Sequence, residues 1–178
     1  SLHDALPIYN QPVSLVGERI DVAIRITENP EPGTIARRLG DCKSVLCASV
    51  EYLHQHGTPE TIDDLTRHNC LYYSGFAGKS WHFLDAQGRA AAVAIKGNLS
   101  AGISSLLCES ALAGTGIALV PELEAREGLA QGKLVRLLPE LQPKSLPIYG
   151  LYLSREHQPA GLRLLLDALS EKQRLIID

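Results

Sequence analysis

Long apolar runs are missing from this chain. The strongest of them, such as 116–121, fall far short of a bilayer's thickness, and no charged segment leads into an apolar one at the start, so a membrane or exported protein is not expected. Clustered cations are missing as well: 17 Lys and Arg face 20 Asp and Glu, and the densest basic pair is Arg37 with Arg38. Phosphate binding relies on grouped cations that release counterions, so any DNA-reading function belongs to another segment. The 4 cysteines, Cys42, Cys47, Cys70 and Cys108, form no CxxC pair and no metal-ligand spacing, which fits reduced thiols in the cytoplasm and leaves a disulfide unsupported. GxSxG, Walker A, HExxH and EF-hand patterns are all absent, so nucleophilic, phosphate and metal chemistry lack their local signatures. No catalytic residue, metal or cofactor is expected.

What is present is a globular composition. With 178 residues, 45% hydrophobic and 21% charged, the chain can bury a core as one domain or two small lobes. Segment 21–26 (DVAIRI) alternates, with Val22, Ile24 and Ile26 on one face, which is strand periodicity. The turn-rich 27–34 (TENPEPGT) ends it, and two strand-like runs follow at 35–39 and 44–49. Ser49 then suits the N-cap of a helix over 50–56 with Gly57 as its stop, and Thr61 with Asp64 resembles a capping box for a short helix. Segments 70–74, 81–84 and 90–96 read as strands, the last two as a hairpin around 85–88. Residues 104–113 have helical composition, 117–120 form a buried-type strand, and Pro121 and Glu122 begin another helix that Gly132 closes. Strands at 134–138 and 147–153 precede a final amphipathic helix, 162–175, with Leu162, Leu165, Leu166 and Leu169 on one face. Strands and helices alternate throughout, so the class is α/β.

The candidate polar constellations are few. Gly114 and Gly116 follow a helix and precede a strand, the reverse of a dinucleotide fingerprint. His54 and His56 stand two apart, roughly 200° around a helix at ~100° per residue, so they do not converge on one metal. His68 near Cys70, and His82 beside Trp81, have no partner pair at ligand spacing, and structural roles suit them better. The run Tyr72, Tyr73, Ser74, Gly75 ends a strand in a hydroxyl and a glycine. It suits a site where backbone N–H groups approach a small polar ligand, and equally an ordinary strand-to-loop transition. Residues 99–102 (LSAG) precede the helix beginning at Ser104 and could either offer N-terminal N–H donors to a carboxylate or serve only as a cap.

Taken in order, LVGERIDVAIRI (15–26), VLCAS (45–49), Tyr52 and Leu53, HGTP (56–59), Asp64 and Leu65, His68, Cys70 and Leu71, YSG (73–75), WHF (81–83), ALAG (111–114), GIALVP (116–121), GKLVRLLP (132–139) and LPIYGLY (146–152) resemble the regulatory domain of LysR-type transcriptional regulators across about 12–170. The resemblance implies a two-lobed α/β fold like that of type II periplasmic binding proteins, with strand crossings near 44–49 and 147–152. Lobe I then comprises 12–47 and 148–178 and is incomplete, lobe II spans 48–147, and 1–11 stay unassigned because 1–8 match nothing the family places there. It implies a small anionic metabolite in the interlobe cleft, contacted by Thr27, Tyr73, Ser74, Gly75, Ser100, Ala101 and Gly102. It also implies a homodimeric or homotetrameric cytoplasmic parent protein that reaches DNA only through an N-terminal winged helix-turn-helix, which this sequence lacks. A solute-binding protein serving a transporter is the alternative with the same fold.

Overall fold

The computed structural model describes residues 20–74, 79–153 and 160–177. In chain order the elements are β1 (Ala23–Ile26), β2 (Ile35–Cys42), β3 (Ser44–Ser49), α1 (Val50–His56), a 3-10 helix (Ile62–Arg67), β4 (Cys70–Tyr73), β5 (Ser80–Leu84) and β6 (Ala90–Ala94). They continue as β7 (Ser100–Ala101), α2 (Ser104–Leu112), β8 (Ile117–Pro121), α3 (Glu122–Ala130), β9 (Leu134–Arg136), β10 (Gln142–Pro143), β11 (Leu146–Tyr152) and α4 (Ala160–Ile177). Contacts divide the chain into two units: Lys43–Ser145, and the described residues on either side of it.

The flanking unit is a three-stranded antiparallel sheet, β1-β11-β2, with α4 against it. The period of two puts Ile24 opposite Gly150 and Ile26 opposite Ile148. On that face Leu39, Tyr152, Leu162 and Leu166 form the core, with Val22, Ile35, Ile148 and Leu169 at its margin. Gly150 allows this packing, since a Cβ there would lie 2.7 Å from a methyl of Leu166. The Arg37 guanidinium donates to the Asp167 carboxylate at 2.5 Å, tying β2 to α4. Ile24 and Ile26 remain about half exposed, at 47% and 50%, and of the four leucines expected on the buried face of α4, Leu165 is 47% exposed.

The central unit carries a five-stranded sheet in the order β7-β4-β8-β3-β9 and a smaller sheet, β10-β5-β6. β4 runs parallel to both β7 and β8, whereas β3 is antiparallel to β8 and β9. Two apolar layers result. Leu46, Tyr52, Leu65, Trp81, Phe83, Val93 and Ile117 fill one, including the side chains of the small sheet, and Val45, Leu71, Leu107, Ala111, Val120 and Ala125 fill the other beneath α2 and α3. All of β3 lies inside this sheet, and the first boundary between units falls between Cys42 and Lys43. Pro121 also differs from expectation: it ends β8 and occupies the N-cap of α3 instead of its first turn. Both expected strands of the hairpin form, while β7 and β10, two residues each, gave no periodic signal to read.

Candidate functional site

At the carboxyl ends of β4 and β7 the chain brings two hydroxyl-bearing segments side by side. Tyr72 pairs with Ser100 and Tyr73 with Ala101, and the Ser74 N–H extends the ladder by donating to the Ala101 carbonyl at 2.9 Å. Ser74 and Ser100 are exposed, and Gly102 is partly so. In open parallel sheets this end of the strands is where ligands bind, because the strands diverge into loops there and side chains of adjacent strands converge.

Alternation across the pleat then separates the expected contacts. Tyr73 and Ala101 face α2 and pack with Leu107 and Ala111. Tyr72, Ser100 and, next in the alternation, Ser74 lie on the opposite face, that of the small sheet. Tyr73 and Ala101 therefore lie on the α2 face, and Tyr72, the first residue of the candidate run 72–75, is the aromatic that shares a face with the serines. Gly75 lies outside the described residues. The signal that could have found Tyr72 is the register of β7, and a two-residue strand is too short to show its own period.

Lys79, which leads into β5, joins this face. Its ammonium lies 5.0 Å from the centre of the Tyr72 ring, and its carbonyl accepts the Ile95 N–H at 2.8 Å, fixing its backbone to the end of β6. The Lys79 ammonium and the Ser100 hydroxyl beside it hold the Tyr72 phenol below its ordinary pKa. At the N-terminus of α2 no side chain among the described residues caps the helix, and the Ser104 hydroxyl donates to the Glu124 carboxylate at 2.7 Å. Thr27, in the flanking unit, has its hydroxyl engaged within its own turn: it accepts the Asn29 N–H and donates to the Asn29 carbonyl, both at 3.1 Å.

A hollow of about 360 Å³ lies near the opposite end of β4 and is lined by residues including His56, Glu60, Asp64, Arg67 and His68. Its polar groups are largely used locally. The Asp64 carboxylate accepts from the Thr61 hydroxyl at 2.9 Å, the Thr61 N–H at 2.8 Å, the Glu60 N–H at 3.1 Å and the Arg67 guanidinium. With the Thr61 hydroxyl first among them, these bonds bring its pKa down to about 2. Beside it, the Tyr52 hydroxyl accepts the Asn69 N–H at 3.0 Å and shares a hydrogen bond with Nδ1 of His68 at 3.1 Å. Burial pushes His68 below its ordinary pKa, and His56, stacked 4.4 Å from the Tyr52 ring, adds to that. These contacts brace the entry to β4 and match the structural role expected of His68.

The four cysteines are reduced thiols, and burial raises Cys47 and Cys70 to about 12. No group of three or more His, Cys, Asp or Glu able to hold a metal occurs among the described residues, and no helix among them is long and apolar enough to cross a membrane.

Comparison with known proteins places this architecture. Residues 8–174 match the LysR substrate binding domain family. The chain is 34% identical over 170 residues to the probable HTH-type transcriptional regulator LtrA of Klebsiella pneumoniae, covering 93% of this chain and 55% of that protein. It is 33% identical over 162 residues to the HTH-type transcriptional regulator CrgA of Neisseria meningitidis, covering 90% and 54%. The fold superimposes on the full-length Vibrio cholerae virulence activator AphB with a TM-score of 0.76 at 30% identity, over 93% of this chain and 56% of that one. For the regulatory domain of CrgA the TM-score is 0.74 at 32% identity, over 89% and 78%. The chain thus spans about half the length of the curated relatives it matches. The α/β, two-lobed, periplasmic-binding-protein-like fold inferred from the ordered motifs is the one these relatives have, and the chain belongs to the LysR substrate-binding-domain family of transcriptional regulators, a family of regulatory domains and not of enzymes.

Proposed function

We propose that this chain senses a small anionic metabolite at the carboxyl ends of β4 and β7, with Ser74, Ser100 and Gly102 as contacts and Tyr73 and Ala101 holding the two strands in register. One observation carries the reading: two parallel strands end side by side with exposed hydroxyls in a chain whose family binds effectors. Exposed serine hydroxyls and loop N–H groups offer charge-assisted hydrogen bonds to an anion.

In the parent protein, paired or fourfold copies would work in the cytoplasm on DNA held by a separate helix-turn-helix segment. Effector binding there changes transcription by shifting a conformational equilibrium, and it shifts it only by the difference in affinity between the two states. Thermal denaturation against a panel of metabolites tests the sensing role. A ligand present at about 100 times its dissociation constant should stabilise the protein by ~2.7 kcal/mol. A full-length protein that no small anion stabilises contradicts it.

A further inference from the structure

We propose that Lys79 is the charge-selecting residue of this effector site, and that it and the Tyr72 and Ser100 hydroxyls receive a carboxylate group of the effector. The proposal rests on the reading of the β4 and β7 ends as the effector site and names the chemistry recognised there.

Three independent constraints bring these groups together. Parallel pairing sets Ser100 level with Tyr72 on one face of the sheet. The Ile95 N–H bond to the Lys79 carbonyl anchors the lysine where the small sheet begins, and cation–π contact at 5.0 Å holds its ammonium over the Tyr72 ring. The carboxylates of Asp41, Asp64, Asp85, Glu122 and Asp167 are each held in an ion pair with an arginine rather than with Lys79. The Glu124 carboxylate accepts the Ser104 hydroxyl. The ammonium is therefore an exposed positive charge, oriented by an aromatic face, with a phenol and a serine hydroxyl beside it as donors.

The lowered Tyr72 pKa reports the same proximity. A carboxylate arriving there replaces water around Lys79 and accepts hydrogen bonds from both hydroxyls, whereas a carboxamide of equal shape gains no ionic contact. Ser74, exposed and next along the face, is placed to bind the remainder of the molecule.

The test uses the full 178-residue chain and matched probes: acetate with acetamide, benzoate with benzamide, and succinate with succinamide, titrated by amide-resolved NMR. At least one acid should shift the amides of Ser74, Lys79, Ser100 and Gly102, with its amide partner weaker. Lys79→Gln should reduce that acid's affinity roughly tenfold or more, the scale of one charge-assisted contact, and leave the amide's affinity unchanged. The same variant should return the Tyr72 phenol toward its ordinary pKa in an ultraviolet titration, a readout that a loss of folding would abolish rather than shift. If acid and amide bind equally at these amides, or Lys79→Gln leaves the acid's affinity unchanged, the site stands and the role of Lys79 is overturned. If no probe perturbs them, the site reading fails, and the role of Lys79 fails with it.

Discussion

At the residue scale, the best-defined polar arrangement in the central unit is the Tyr52 hydroxyl between the Asn69 N–H and His68 Nδ1. Burial, with His56 acting in the same direction, puts the folded pKa of His68 below the ordinary 6.5. The sign follows from linkage. The unfolded chain takes up this proton first as pH falls, so the contribution is fully present above about 6.5 and is lost from there down toward the lower folded value. Asp64 adds a second window, because its folded pKa of about 2 against an ordinary 3.8 makes its contribution disappear between those values. Chemical denaturation from pH 8 to pH 5 should therefore show falling stability, and His68→Gln should flatten the profile. An identical slope in the variant would contradict the assignment. None of this was legible from His68 and Cys70 as spacing alone, because the partner, Tyr52, lies 16 residues earlier and reaches His68 only through the packing of α1 on β3.

At the element scale, the cues that sequence supplied were those with local chemistry. Ser49 accepts the Tyr52 N–H at 3.1 Å as the N-cap of α1, and Gly57 stops that helix at φ 83°. Ser49→Ala should cost about 1 kcal/mol in denaturant unfolding, since a helix N–H loses its acceptor in a buried position. What sequence could not show was β7, whose formation depends on long-range pairing with β4. That pairing also sets the faces of the two tyrosines: the pleat puts Tyr72 on the serine face and Tyr73 against α2, a division that needs the register of β7 to be seen.

Gly97 shows how tightly this pair is set, for a Cβ there would fall 1.9 Å from the Cys70 carbonyl oxygen. The Cys70 N–H also bonds to the Lys96 carbonyl at 2.9 Å, so the approach is fixed from both sides. Gly97→Ala should thus push β4 away, destabilise the chain by about 1–3 kcal/mol as overpacking does, and weaken effector binding. A variant with unchanged stability and unchanged ligand response would show that β4 tolerates the shift.

At the scale of the whole molecule, the class and family were legible because many short motifs occur in one order, and order survives where any single motif is weak. The interior division was less so. The family resemblance puts a crossing near 44–49, and in the structure that apolar segment is β3, an inner strand of the five-stranded sheet between β8 and β9. The half-exposed Ile24 and Ile26 belong to this scale too, as apolar surface on the edge strand of a three-stranded sheet.

The account depends most on the carboxyl ends of β4 and β7 being where the effector binds. The decisive measurement maps, by amide-resolved NMR on the 178-residue chain, any small anion found to stabilise it against heat. The expected result is saturable shifts concentrated at Ser74 and at 100–102, with affinity reduced by Ser100→Ala and unchanged by a substitution in the hollow at the opposite end of β4, such as His56→Gln. Shifts concentrated at His56, Arg67 and His68, with Ser100→Ala binding as well as the unaltered chain, would contradict it.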